Sequence, residues 1–176
     1  EDAFKFGFVR NPWDWLLSWT TYKQDIGWSG WSKFDFNSWI YKIGEIFEHR
    51  GGRYWPDSNS EKVSMEFKYI GKDSLSCGIS SCRANSGYSC MCLPYSMQSD
   101  FLYINGRSGV DFIGRFENID SDWKFVSSKI KGYDYKKLSL TNKSSNAGYK
   151  KVYSDNAAEI VYNIYKKDID IFKYGF

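Results

Sequence analysis

Arg10, Ser18 and the run Lys143-Ser144-Ser145 suit one piece of chemistry in this 176-residue chain, the capture of an oxyanion. Arginine presents a planar fork of donors that matches phosphate. Serine adds a hydroxyl donor, and a lysine beside small polar residues can close a concavity of backbone N–H groups around an anion. Each has an ordinary alternative. Arg10 can pair with Asp14, Ser18 can be a small packing residue, and "TNKSSNAGYKK" (141–151) can be a solvated loop.

Three elements must position these groups. "FKFGFV" (4–9) alternates as a strand does, and apolar residues at 4, 6, 8 and 9 predict burial on both faces. Arg10 then stands at the strand's carboxyl end. Asn11 is a good N-cap and Pro12 fits a first helical turn, so a helix is expected from 12 to about 24, with Trp15, Trp19 and Tyr22 on one stripe. In open α/β sheets ligands gather at the carboxyl ends of strands, where helix N-termini favour an anion. A second helix is expected over 36–49, with Trp39, Ile40, Ile43 and Phe47 at helical spacing. A short buried strand over 111–116 leads to a helix starting at Asn118 or Asp120, with Trp123, Phe125, Val126 and Ile130 available to the core. A last helix spans about 156–172, with Ile160, Val161, Ile164 and Tyr165 inward and Lys166 and Lys167 outside. This order predicts one α/β domain over 1–176 with a mostly parallel central sheet flanked by helices. A Cys/Ser/Gly-rich insertion interrupts it at about 73–97. The chain opens almost directly on strand pattern, so an upstream strand is expected to precede it.

Bulk composition sets bounds on partners. Hydrophobic residues are 42% and aromatics 20%, enough for a folded core. The formal net charge of +3 is too small to argue for nucleic acid, though it suits an anionic small ligand or acidic glycan. No apolar run approaches the roughly 18 residues of a membrane span. The cysteines Cys77, Cys82, Cys90 and Cys92 lie in "CGISSCRANSGYSCMC". Two local disulfides, a metal site and four free thiols all remain open, because the spacing matches no standard zinc knuckle. His49 is the only histidine and reads as a capping or surface residue. Trp28, Trp31, Arg53 and Trp55 lie in Gly-rich stretches, where rings could stack on sugar faces and arginine could meet acidic groups. The alternative is that these rings cover the core.

"FKFGFVRNPWDWLLSWTTY" resembles the 3′-phosphate-binding strand–helix segment of the carbohydrate-type (family 2) sulfotransferases. "VDFIGRFENIDSDWKFV" resembles that family's I-G-R-F-E-N-L block. "TNKSSNAGYKKVYSDNAAEIVYNIYKKDIDIFKYGF" resembles its ending, with an N-K-S motif and a D-I-x-x-F-x-Y-x-F tail. The blocks stand in the family's order and cover about two-fifths of the chain.

The resemblance implies a P-loop-like sulfotransferase fold, N-terminally truncated. The implied donor is PAPS (3′-phosphoadenosine 5′-phosphosulfate), with PAP as product and no metal. By the same resemblance Arg10 and Ser18 would hold the nucleotide 3′-phosphate, with Lys143, Ser144 and Ser145 closing over it. Arg115 and Glu117 would stand at the end of a neighbouring strand, Arg115 as a substrate-binding residue; Glu117 reads as the structural partner that fixes Arg115 ahead of a direct catalytic role. The acceptor would be a hydroxyl or amine of a carbohydrate-type molecule. Three departures accompany the likeness. No G-x-x-x-x-G-K stretch is present to cradle the phosphosulfate. No residue is assigned as the base. A His-Trp-x-Pro-Gln stretch is replaced by "LPYSMQSDFLY", in which Gln98 survives. This chain alone is therefore expected to bind nucleotide weakly and to turn over little. The compartment follows the source: cytoplasmic if microbial, Golgi lumen if eukaryotic. A non-catalytic glycan- or nucleotide-binding domain on the same scaffold is the main alternative. A nucleotide kinase and a single-stranded nucleic-acid binder fit less well.

Overall fold

Phe6–Val9 (β1) forms a strand whose parallel partner is Phe112–Arg115 (β4), with Phe6 opposite Phe112 and Val9 opposite Arg115. The computed structural model describes residues 3–25, 35–49, 97–139 and 148–176. The expected mixed α/β chain with parallel strands is therefore present. Among the described residues the parallel part is one strand pair, accompanied by a small antiparallel hairpin. The strand expected from Phe4 is two residues shorter, but its pairing reaches further back, because the Lys5 carbonyl accepts the N–H groups of Asp111 and Phe112 at 2.9 and 3.3 Å. Burial on both faces is not realised. Val9 is buried and Phe6 is 38% exposed, its ring covered only in part by Phe4, Phe8 and Trp123.

Gly114 explains how the pair fits. A Cβ there would stand 2.4 Å from Cε1 of Phe8, so the Phe8 ring lies where any larger residue would sit. Gly7 faces Leu102 in the same way, at 2.4 Å from its Cδ2.

The helices follow the sequence signals closely. Pro12–Asp25 (α1) starts where Asn11 Oδ1 accepts the Trp13 N–H at 3.1 Å, the expected cap. Phe36–His49 (α2) has the expected bounds, and Asp35 Oδ1 caps it through the N–H groups of Asn37 and Ser38 at 3.0 and 3.2 Å. Gln98–Leu102 (α3) leads into the hairpin of Tyr103–Ile104 (β2) and Arg107–Ser108 (β3). Its turn residues Asn105 and Gly106 both have positive φ, 51° and 76°, which suits an Asn-Gly two-residue turn. After β4 and a 3₁₀ turn at Phe116–Asn118 comes Ile119–Lys129 (α4). Of its expected core residues only Val126 is fully buried, and Phe125 is 43% exposed.

The single last helix is two. Asp155–Ile164 (α5) and Lys166–Phe172 (α6) are separated at Tyr165, whose φ and ψ of −102° and 21° leave helical values. The Tyr165 ring is buried edge-on to Trp15, centroids 5.9 Å apart. The bend lets α6 present Asp168 to α3.

The core lies between helices rather than on the sheet. Leu16, Leu17 and Trp13 of α1 meet Ile40 and Ile43 of α2 and Ala157, Val161 and Ile164 of α5. The buried stripe of α1 is thus 13, 16, 17 and 20. Trp15 and Trp19 lie on its margin and Tyr22 is exposed, because α5 covers the Trp13 side. A Cβ on Gly44 would lie 2.9 Å from Ile160 Cγ2, so α2 and α5 approach closely there. Asn37 fastens the two helices, its amide donating to the Val152 carbonyl and its oxygen accepting the Ser154 N–H, both at 3.0 Å.

Candidate functional site at the joined strand ends

Parallel pairing brings the carboxyl ends of β1 and β4 together, so Arg10 and Arg115 leave neighbouring strands at one edge. Arg10 is held by three contacts. Its Nε donates to Asp14 Oδ2 at 2.6 Å, and its Cζ lies 4.2 Å from the centroid of the Phe116 ring. Its backbone is clasped by the Gln98 side chain: the Arg10 N–H donates to Oε1 and the Gln98 Nε2 donates to the Arg10 carbonyl, both at 2.8 Å. Gln98 acts here as one rung of an extra strand. Its N–H in turn donates to the buried Asp168 carboxylate at 2.6 Å, and the Ser99 N–H donates to the same carboxylate at 2.9 Å.

The pairing with Asp14 is therefore real, but it engages only the Nε side of the guanidinium. Among the described residues the two terminal nitrogens of Arg10 have no hydrogen-bond or ion-pair partner. Nε–carboxylate pairing and ring stacking fix the plane of a fork whose other edge is available to an oxyanion. Ser18 is one helical turn beyond Asp14 on α1 and is half-buried, so it shares that flank.

Glu117 does something other than fix Arg115. Its Oε1 accepts the Asn11 N–H at 2.6 Å and its Oε2 accepts the Tyr174 hydroxyl at 3.1 Å. The 3₁₀ turn after β4 carries it to the start of α1 instead of along the strand. With Asp14 in the first turn, two carboxylates therefore complement the positive end of α1, and the expected pull of that helix on an anion is already answered there. Arg115 is directed to the C-terminal tail. Its Nη2 donates to the Phe172 carbonyl and its Cζ lies 4.7 Å over the Tyr174 ring.

The tail completes the edge. Asn11 Nδ2 donates to the Gly175 carbonyl at 2.9 Å and to the Tyr149 hydroxyl at 3.3 Å, while the Phe176 ring packs on Trp13, Tyr149 and Tyr153 at 5.5, 5.6 and 5.8 Å. The three sequence blocks thus meet around Asn11. Lys143, Ser144 and Ser145 lie outside the described residues, as do Trp28, Trp31, Arg53, Trp55 and the four cysteines. Gln98, Asp168 and Tyr149 were not marked as part of this edge by their spacing. Gln98 had a signal in the resemblance, but only folding brings residue 98 beside residue 10.

Three phenols here resist ionisation. Burial pushes Tyr153 well up, with Asp14 adding to it, and its hydroxyl donates to the Trp13 carbonyl at 2.9 Å. Burial also raises Tyr174, helped by Glu117 and opposed by Arg115. Tyr149 rises through burial and then Asp14 and Glu117. A phenol whose folded value lies above the unfolded one, about 10, contributes equally below that pH and loses its contribution above it. Stability measured by urea unfolding is expected to be level from pH 8 to 9 and to fall above about pH 10. The fall should be shallower in Tyr153→Phe; an equal fall in both proteins would rule Tyr153 out as a source.

Among the described residues no helix is long and apolar enough to cross a membrane, and no cluster of side chains could hold a metal ion. Comparison with family models, with curated proteins and with solved structures found no match.

Proposed function

We propose that this chain forms the nucleotide-gripping part of a PAPS-dependent sulfotransferase with a P-loop-like fold, acting on a hydroxyl or amine of a carbohydrate-type acceptor. The observation that carries the proposal is the Arg10 fork. It stands at the carboxyl end of a parallel strand, stacked on Phe116 and oriented by Asp14, with its terminal nitrogens unpartnered among the described residues. Convergence of the three family-like blocks on Asn11 supports the same reading.

Sulfuryl transfer is an in-line displacement: the acceptor loses a proton to a base as it attacks sulfur, and charge grows on the oxygen leaving with the nucleotide. The chain's own part is remote from sulfur. Arg10 and Ser18 would hold the 3′-phosphate and orient the donor, turning binding energy into position.

Calorimetry with PAP tests this. The chain is expected to bind PAP more tightly than adenosine 5′-monophosphate, which lacks the 3′-phosphate. Arg10→Ala is expected to lose about 10- to 100-fold in PAP affinity, the weight of a charge-assisted pair of hydrogen bonds. Arg10→Lys should fall between, since it keeps charge and loses the fork. Equal PAP binding by the wild-type and Arg10→Ala chains, with both folded by circular dichroism, would discard the proposal.

A further inference from the structure

Residues 129–138, "KIKGYDYKKL", form a strap of ten consecutive exposed residues that starts at the last residue of α4. Four lysines stand against one aspartate, a net +3 that equals the formal net charge of the whole chain. The remaining residues sum to zero, and the strap is one of two strongly positive runs in the sequence, the other being 141–151.

Apolar groups are interleaved with this charge. Ile130, Tyr133, Tyr135 and Leu138 are 37, 39, 43 and 40% exposed. The strap is nevertheless tied down. Trp123 Nε1 donates to the Lys136 carbonyl at 3.1 Å, the Trp123 and Tyr133 rings meet edge-on at 5.9 Å, and the Tyr133 N–H donates to the Ile130 carbonyl at 3.1 Å. The exposed Phe125 ring continues the surface, with Lys129 Nζ at 5.1 Å from its centroid.

We infer that this strap docks the protein peripherally on an anionic lipid surface. Charge complementarity selects a polyanion. A second copy of the chain would bring like charges together. The aliphatic side chains of Ile130 and Leu138 add nothing to sugar stacking but suit the headgroup boundary, where tyrosine rings also settle. Lysines near such a surface each strengthen partitioning about fivefold, and apolar insertion supplies the second signal that stable attachment needs. This inference does not depend on the sulfotransferase proposal.

Flotation of the chain with vesicles containing about 30% phosphatidylserine in phosphatidylcholine, against pure phosphatidylcholine, is the test. Binding is expected only to the anionic vesicles and should weaken as salt rises. Each lysine changed to glutamine at 131, 136 and 137 should lower partitioning about fivefold, and the triple variant about a hundredfold. Tyr133→Ser with Leu138→Ser should weaken binding about tenfold while leaving its salt dependence in place. All five side chains are exposed, so matching thermal unfolding will confirm that the variants fold. Equal binding to both vesicles, no effect of the lysine changes, or retention on a heparin column without vesicle binding would each overturn the inference; the last would assign the strap to an acidic glycan.

Discussion

Trp13→Ala is expected to lower the unfolding free energy by about 3–5 kcal/mol, as large-to-small changes of a buried aromatic do. The side chain is 3% exposed and sits where α1, α5 and the C-terminal tail meet. Its indole N–H donates to the Ala158 carbonyl at 2.9 Å, and its ring supports Phe176 at 5.5 Å. Truncation leaves a cavity, costs the Ala158 carbonyl the hydrogen bond it accepts besides that of its own helix, and takes from the Phe176 ring one of three aromatic supports, leaving Tyr149 and Tyr153. Trp13→Phe keeps most of the apolar volume and loses the donor, so about 1–2 kcal/mol is expected. Urea unfolding followed by far-ultraviolet circular dichroism measures both. A loss below about 1 kcal/mol for Trp13→Ala would mean that the core closes without it.

Asp168→Ala should destabilise the fold by about 3–4 kcal/mol, by removing the acceptor of two backbone N–H groups at once. The carboxylate is fully buried and holds Gln98 and Ser99 at 2.6 and 2.9 Å. Asp168→Asn tests the cause. Its oxygen can serve one N–H while its NH₂ group faces the other, so about 2 kcal/mol is expected for a nearly isosteric change. Since Gln98 clasps the Arg10 backbone, both variants should also weaken PAP binding at temperatures where they remain folded. Asp168→Asn with wild-type stability would show that packing, and not the carboxylate, positions α3.

These two sites differ in how far the sequence announced them. Asn11-Pro12 marked the start of α1, and apolar spacing in 36–49 marked α2 to the residue, because caps and helical period are local properties of the chain. The adjacency of the strand ends at Arg10 and Arg115 was also legible, since parallel strands place their carboxyl ends together. The Asn105-Gly106 turn carries a clear local signal, but its strands are two residues each, too short to show alternation.

What the sequence determined alone was the set of local elements, the carboxyl-end position of Arg10 and the blocks likened to one family. Tertiary structure decided the rest. It set Glu117 against Asn11 and Tyr174 instead of Arg115, bent the last helix at Tyr165, and brought Gln98 and Asp168 beneath Arg10. The physical reason is range. A cap or an amphipathic stripe is settled within a few residues. The partner of a buried carboxylate is settled by whichever unpaired N–H groups the packed chain brings to it, here from seventy positions away.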